Sequence, residues 1–290
     1  VKLGTRGSAL ALAQAGTVAA AIEGAEVVTI TASNDRGANI VDDKERWVRE
    51  LDEALLDGRI ALAVHSAKDL PARLAEGTMI VATPARANPF DALCGAASLE
   101  GLPEGARIGT SSVRRSAQLR ALRADLQISE LHGNVETRLA ALGGNRFEAI
   151  VLAMAGLQRL GRSGEAGALL DQMTPAAGQG TLAITAREGD SESIALALAL
   201  DDQQTHRSLI AGRALVEVLE ADCHTPVGAH ATLEGKSISL AAFVGRSDGS
   251  AWLRDELTTS DGAGVAEAQA LGREVGQRML AAGANEVLGR

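Results

Sequence analysis

The sequence predicts an α/β protein: two similar lobes built on mixed sheets, followed by a smaller α+β domain. Three observations carry this expectation. Apolar strands alternate with helices through the first half, the order of a parallel or mixed sheet covered on both faces. The segment Lys2-Leu3-Gly4-Thr5-Arg6-Gly7-Ser8 returns as Arg107-Ile108-Gly109-Thr110-Ser111-Ser112, each time a strand, a Gly-Thr turn and a hydroxyl-rich helix start. The tail then changes type, to a hairpin and one long amphipathic helix.

The elements follow in order. Val1-Lys2-Leu3 reads as a short strand, and Ser8 caps a helix over Ala9 to Ile22. Glu26 to Ala32 is a β-branched strand. Asp42 or Asp43 caps a helix that places Trp47, Val48, Leu51 and Leu55 on one face. Ile60 to Val64 is a buried strand ended by His65-Ser66. Pro84 and Asn88-Pro89 mark a crossing between domains. After Arg107-Ile108 and its turn, a helix runs through Gln118, Leu119 and Leu122. Ala149 to Ala153 is another apolar strand, and Pro175 to Gly180 is a second break suited to close backbone packing. Thr181 to Thr185 is a strand, and Ile194 to Leu200 and Thr205 to Leu219 are helices. Lys236 to Val244 and Ser250 to Leu257 form the hairpin, and Val265 to Ala282 is the long helix. The implied domains are 1–86 with 181–200, then 87–180, then 201–290.

Composition limits the function. A chain of 290 residues suits two or three domains, and 46% apolar residues suffice for a core in each. Aromatics make up 2%, with no Tyr, so the cores are aliphatic and platforms for stacking bases are missing. A net charge of −9 argues against coating nucleic acid or anionic membrane by bulk charge. The sequence holds no apolar run long enough for a membrane span and reads without a secretory signal. Two cysteines, Cys94 and Cys223, are too few for a disulfide framework, which points to a reducing cytoplasm.

Of 28 basic residues, all but Lys2, Lys44, Lys68 and Lys236 are Arg, the side chain that grips carboxylates with paired hydrogen bonds. Arg6 lies in the first Gly-Thr turn and Arg114-Arg115 open the helix after the second. Thr5, Ser8, Thr110, Ser111 and Ser112 add hydroxyls at these helix starts, where unpaired N–H groups already favour anions. Arg138 follows the Gly133 turn. The bland alternative for any one of these is a capped helix with a solvated Arg. His65-Ser66-Ala67-Lys68-Asp69 follows an apolar strand, where the ligand crevice of an open α/β sheet lies. Asp69 suits an acid, a base or the stabiliser of a developing cation, against the alternative of a structural cap. A triad of Ser66, His65 and Asp69 lacks a nucleophile elbow. Cys223, in Asp222-Cys223-His224-Thr225-Pro226, sits in a polar turn where a thiol is reachable, whereas Cys94 reads as a small buried hydrophobe. A metal site from Cys223, His224 and His230 lacks a second pair at familiar spacing.

Six segments, in order along nearly the whole chain, resemble the hydroxymethylbilane synthase (porphobilinogen deaminase) family. They are Gly4 to Ala11, Val64 to Pro71, Gly109 to Arg115, Leu152 to Leu160, Pro175 to Gly180, and Cys223 to Gly228. The resemblance implies two lobes like the type II periplasmic binding fold and a third domain carrying a cysteine. It implies a transferase that joins four porphobilinogen molecules head to tail, releases ammonia and yields hydroxymethylbilane. A dipyrromethane cofactor would be held by a thioether to Cys223. Asp69 would be catalytic, facing the positive charge that forms on the pyrrole nitrogen once ammonia leaves. Lys68, Asp69, Thr110, Ser111, Ser112, Arg114, Arg115 and Arg138 would bind the cofactor. Arg6, Ser8, His132, Arg138 and Gln179 would bind substrate, whose rings carry acetate and propionate. No metal, nucleic acid or membrane is implied, and the enzyme would be a cytoplasmic monomer. The chain departs from the family at His132, where Arg is frequent, and in the 39–47 segment, where Trp47 replaces a common Phe and Lys44 is a candidate substrate contact. It departs again at Thr185, where an acidic residue is frequent. A non-enzymatic two-lobed binding protein for a small polyanion, and a cysteine hydrolase using Cys223 and His224, are the competing readings.

Overall fold

The computed structural model describes residues 1–31, 44–144, 146–260 and 264–290. The expected caps Asp42 and Asp43, the 39–43 part of the altered segment and the Lys44 side chain lie outside the described residues. The chain divides into two compact units, Val1–Arg86 with Thr181–His206, and Ala87–Gly180 with Arg207–Arg290.

In the first stretch, β1 (Lys2–Thr5), α1 (Ala9–Ala19), β2 (Glu26–Thr29), α2 (Lys44–Leu56), β3 (Leu62–Ser66) and β4 (Thr78–Ala82) follow one another. Next come β5 (Asp91–Cys94), β6 (Arg107–Gly109), α3 (Val113–Leu122), β7 (Gln127–Ser129), α4 (Val135–Ala140), β8 (Ala149–Ala153), α5 (Met154–Arg159) and β9 (Ala166–Leu170). The chain continues with β10 (Leu182–Arg187), α6 (Ser191–Leu198), α7 (Gln203–Val218), β11 (Val227–Glu234), β12 (Ser237–Gly245), β13 (Trp252–Thr259), α8 (Val265–Ala281) and α9 (Ala284–Leu288).

Two five-stranded sheets share one plan. The first runs β2-β1-β3-β10-β4 and the second β7-β6-β8-β5-β9. In each, four strands run the same way and one, β10 or β5, is antiparallel to both its neighbours. These are the mixed sheets expected of two α/β lobes, and the repeated Gly-Thr turns occupy equivalent places at the ends of β1 and β6. Glycine lets neighbouring side chains pack close there. A Cβ at Gly4 would run into the Ile60 side chain, and one at Gly109 would sit 2.9 Å from Leu131 and 3.1 Å from Ile150.

The third sheet, β11-β12-β13, is antiparallel throughout. Its aliphatic core, with Leu215, Ile238, Leu240, Val244, Leu271, Val275 and Met279 all buried, is covered by α7 and α8. The expected hairpin therefore forms two of the three strands of this sheet, β12 and β13. β11 was not foreseen, because His230, Thr232 and the Gly228 break interrupt its apolar pattern. A second correction concerns β3, which continues through His65 and Ser66 rather than ending before them. β10 pairs along its whole length there, with Ala183 opposite His65 and Leu182 opposite Ser66.

Candidate active site

The first group of functional side chains forms where β1 and β3 end. Ser8 caps α1 by accepting from the Ala11 N–H at 3.2 Å, and Gln14 on α1 donates to Ser66 Oγ at 2.8 Å. That second bond fixes the helix against the end of β3. Asp69 closes the 3₁₀ turn Ala67–Asp69 directly after β3, with the Ala67 N–H bonded to Thr181 O at 3.0 Å. Trp47 on α2 lies with its ring centroid 5.0 Å from the Arg6 guanidinium carbon, a stacked cation–aromatic pair. Arg6, Ser8, Trp47, His65, Ser66 and Asp69 line one cavity of about 80 Å³ that opens to solvent. One cation, one carboxylate, two hydroxyls and an imidazole thus share a partly apolar pocket.

His65 is 6% exposed, and its Nε2 lies 3.0 Å from Thr185 Oγ1 on β10. Burial pushes the imidazole down to about 4. Asp69 opposes that shift and Arg6 adds to it, so the ring is neutral at pH 7. The triad reading does not fit this geometry: His65 turns to Thr185, and Ser66 Oγ accepts from Gln14. Stability carries the same signature. An unfolded His titrates near 6.5, so between about pH 6.5 and 4 the unfolded chain binds a proton the folded chain refuses, and stability falls as pH drops, by up to ~3 kcal/mol. Urea midpoints at pH 7 and pH 4.5 test this, and His65→Gln is expected to lose less stability over that interval than the parent.

The second group lies at the corresponding turn of the other lobe. Ser112 caps α3 by accepting from Arg115 N, Thr110 Oγ1 accepts from Ser112 N at 3.2 Å, and Ser111 Oγ accepts from Leu131 N at 3.1 Å. Each hydroxyl acts as an acceptor in these bonds, so its own O–H proton is not used by them. Arg138 lies on α4, with Nε donating to Gly133 O at 2.7 Å. His132 is exposed, its Nε2 3.1 Å from Glu130 Oε2.

Arg114 and Arg115 are placed differently from the sequence expectation. Both are buried, and the carboxylate they grip is the protein's own Asp91, at the start of β5. Arg114 Nη2 donates to Asp91 Oδ2 at 2.7 Å, and Arg115 Nε and Nη2 donate to Oδ1 at 2.9 and 2.7 Å. Arg114 Nη1 reaches Thr174 O and Arg115 Nη1 reaches Val151 O. Gln179, fully buried, donates to Asp91 Oδ1 at 3.0 Å and to Pro89 O at 2.7 Å. Burial alone would raise the Asp91 carboxyl, but the two guanidinium charges and their hydrogen bonds outweigh it and hold it far below the usual carboxylate range. Two cations against one anion leave the cluster with net positive charge behind the hydroxyl turn. Sequence reasoning missed Asp91. It also missed Arg159, whose Nη2 donates to Gly180 O at 2.7 Å and whose burial pushes it down to about 10.

Cys223 is exposed, as the polar turn foretold, and Cys94 is buried in β5 with its thiol pushed up to about 11, chiefly by burial. The Cys223 turn is locally built. Asp222 Oδ1 accepts from His224 N at 2.9 Å and from Thr225 Oγ1 at 2.6 Å, and Arg290 donates to Leu219 O and Glu220 O at its base. Among the described residues no three His, Cys, Asp or Glu side chains are placed to hold a metal ion, so Cys223, His224 and His230 do not assemble into one. His230 instead packs edge-on against Phe90.

Fold and site together define a two-lobed α/β protein with a carboxylate pocket, a basic hydroxyl-lined turn and an exposed thiol in the turn that leads into a third sheet. Residues 1–195 match the family described as "Porphobilinogen deaminase, dipyromethane cofactor binding domain", and residues 207–281 match the porphobilinogen deaminase C-terminal domain. A porphobilinogen deaminase of Rubrobacter xylanophilus is 42% identical over 99% of this chain and 96% of its own. One of Deinococcus radiodurans is 42% identical over 99% and 97%. Among solved structures, a periplasmic substrate-binding protein of an ABC transporter from Coxiella burnetii aligns over 69% of this chain and 91% of its own at 14% identity, with a TM-score of 0.42. The chain belongs to the porphobilinogen deaminase family. It is an enzyme of that family, a transferase of tetrapyrrole biosynthesis that uses a dipyrromethane cofactor.

Proposed function

We propose that the Arg6–Asp69 pocket is where porphobilinogen units are joined to hydroxymethylbilane, and that Cys223 carries the dipyrromethane through a thioether. The single observation behind the first assignment is the placement of one carboxylate, Asp69, in a cavity that also offers the Arg6 guanidinium and the Ser8 hydroxyl. Substrate carboxylates need cationic and hydroxyl donors, and a pyrrole nitrogen gaining positive charge needs a carboxylate beside its N–H. The donor set fits the cofactor as well. A dipyrromethane carries carboxylates that suit Lys68, Arg138, the Thr110–Ser112 hydroxyls and the positive field of the Arg114–Arg115–Asp91 cluster, while its pyrrole N–H groups suit Asp69. When bound, it supplies a tethered pyrrole whose free end accepts the next unit. The protein's part is to orient the acids with Arg6, Ser8, His132, Arg138 and the buried support of Gln179, and to set the Asp69 carboxyl against the substrate nitrogen.

The exposed Cys223 thiol supports attachment there, since a buried thiol such as Cys94 is neither reachable nor readily ionised. A reducing cytoplasm keeps that thiol available, and we place the enzyme there as a monomer with porphobilinogen as its partner. Among the described residues no helix is long and apolar enough to cross a membrane. We propose the domain division 1–86 with 181–200, 87–180 and 201–290; the separate three-stranded antiparallel sheet β11-β12-β13 supports setting the last segment apart. The test is Cys223→Ser. Porphobilinogen consumption is expected to fall to background with the fold intact by circular dichroism. Retention of more than about a tenth of the parent rate would overturn the attachment, because losing a tether is worth orders of magnitude.

A further inference from the structure

The pair formed by His65 and Thr185 is not used by the assignments above. His65 stands in β3 and Thr185 in β10, two positions from Ala183, the residue paired with His65. Both side chains are buried and meet at 3.0 Å, and His65 lines the pocket that holds Arg6 and Asp69. A threonine hydroxyl both donates and accepts, so it satisfies Nε2 in either neutral tautomer and brings no charge of its own. An acidic residue in its place would draw a proton onto the ring. The charged groups acting on His65 are Asp69, from the turn after β3, and Arg6, after β1. The pocket wall from α1 adds the neutral Gln14, and the wall from α2 adds Trp47, Val48 and Leu51. An imidazolium here would set a second cation in the pocket beside Arg6 and oppose the field of Asp69 just where positive charge develops on substrate.

We propose that Thr185 is a positioning residue for this reaction: its hydroxyl fixes the His65 ring, which lines the Arg6–Asp69 pocket, so that Asp69 faces the substrate nitrogen beside an imidazole held in one orientation. The inference rests on the reading of Asp69 proposed above.

The test combines imidazole NMR titration of the intact holoenzyme, with His65→Gln to assign the signal, and the pH profile of kcat and KM. In the parent, His65 is expected not to titrate between about pH 5.5 and 8, and kcat carries no inflection from it. Thr185→Glu is expected to bring a His65 titration into about pH 6 to 8, with a new inflection of kcat at the same pH. Thr185→Val, of the same shape without the hydroxyl, is expected to lower kcat roughly three- to tenfold, with KM nearly unchanged and no new inflection. A parent His65 that titrates near an ordinary 6.5 would overturn the proposal. So would a Thr185→Val and a Thr185→Glu enzyme that both keep the parental kcat and pH profile. Failure of the underlying reading has a separate signature: an Asp69→Asn enzyme with normal turnover, whatever His65 does.

Discussion

Asp69→Asn is expected to abolish turnover while the fold and the attached cofactor survive. Asparagine is nearly isosteric, so the 3₁₀ turn after β3 and the packing of Ala67 beneath it are kept. What disappears is the negative charge. A carboxylate about 4 Å from a unit positive charge is worth about 4 kcal/mol at the effective dielectric of a partly buried site. At 1.36 kcal/mol per decade this amounts to roughly a thousandfold in kcat. The amide offers an oxygen to the pyrrole N–H but no compensating charge, and it cannot accept a proton at neutral pH. Initial rates of porphobilinogen consumption, beside the mass of the purified variant, are the measurement. Near-parental rates would remove Asp69 from the chemistry.

The second large effect is on stability. Asp91 is 1% exposed and is the common acceptor of Arg114, Arg115 and Gln179. Asp91→Ala leaves two buried guanidinium groups without their anion, and breaking a buried ion pair from one side costs about 3–5 kcal/mol. In a unit of this size that lowers the melting temperature by roughly 10 °C or more. The same bonds join β5 to α3, and the Gln179 amide ties in the 175–180 segment, so the loss should spread through the unit rather than stay local. Because the folded carboxyl is held well below its ordinary value, its contribution is complete above about pH 4 and is lost only as the pH falls through that depressed folded value. Calorimetry and urea unfolding at pH 7 check the prediction, and a melting temperature within about 2 °C of the parent would show that the cluster is not the clamp it resembles.

The elements whose signal is local were legible in the sequence. Ser8 caps α1 as its position before an apolar run predicted, and α8 begins at Val265 as its periodicity required. The two Gly-Thr turns proved to hold equivalent places in two sheets of one plan, and the polar turn around Cys223 is exposed. The missed elements owe their existence to tertiary pairing. β7, three residues of mixed polarity, is a strand only because it lies along β6. Asp91 follows Pro89 and Phe90 and reads as a turn residue, yet β8 and β9 flank it and its cationic partners come from 23 and 24 positions away. The Thr185–His65 bond spans 120 positions, and no local pattern announces it. The adjacent pair Arg114-Arg115 at a hydroxyl-rich turn reads from sequence as a grip for a polyanionic ligand, because nothing local shows a carboxylate of the chain's own within reach. The structure buries both guanidinium groups on Asp91, which supplies the opposite charge that burial demands.

The most direct test is the intact mass of the purified enzyme, followed by mapping of its peptides. A mass above that of the sequence by one dipyrromethane, carried on the peptide that contains Cys223, is the predicted result. A fully active protein whose mass equals the bare sequence would contradict the account.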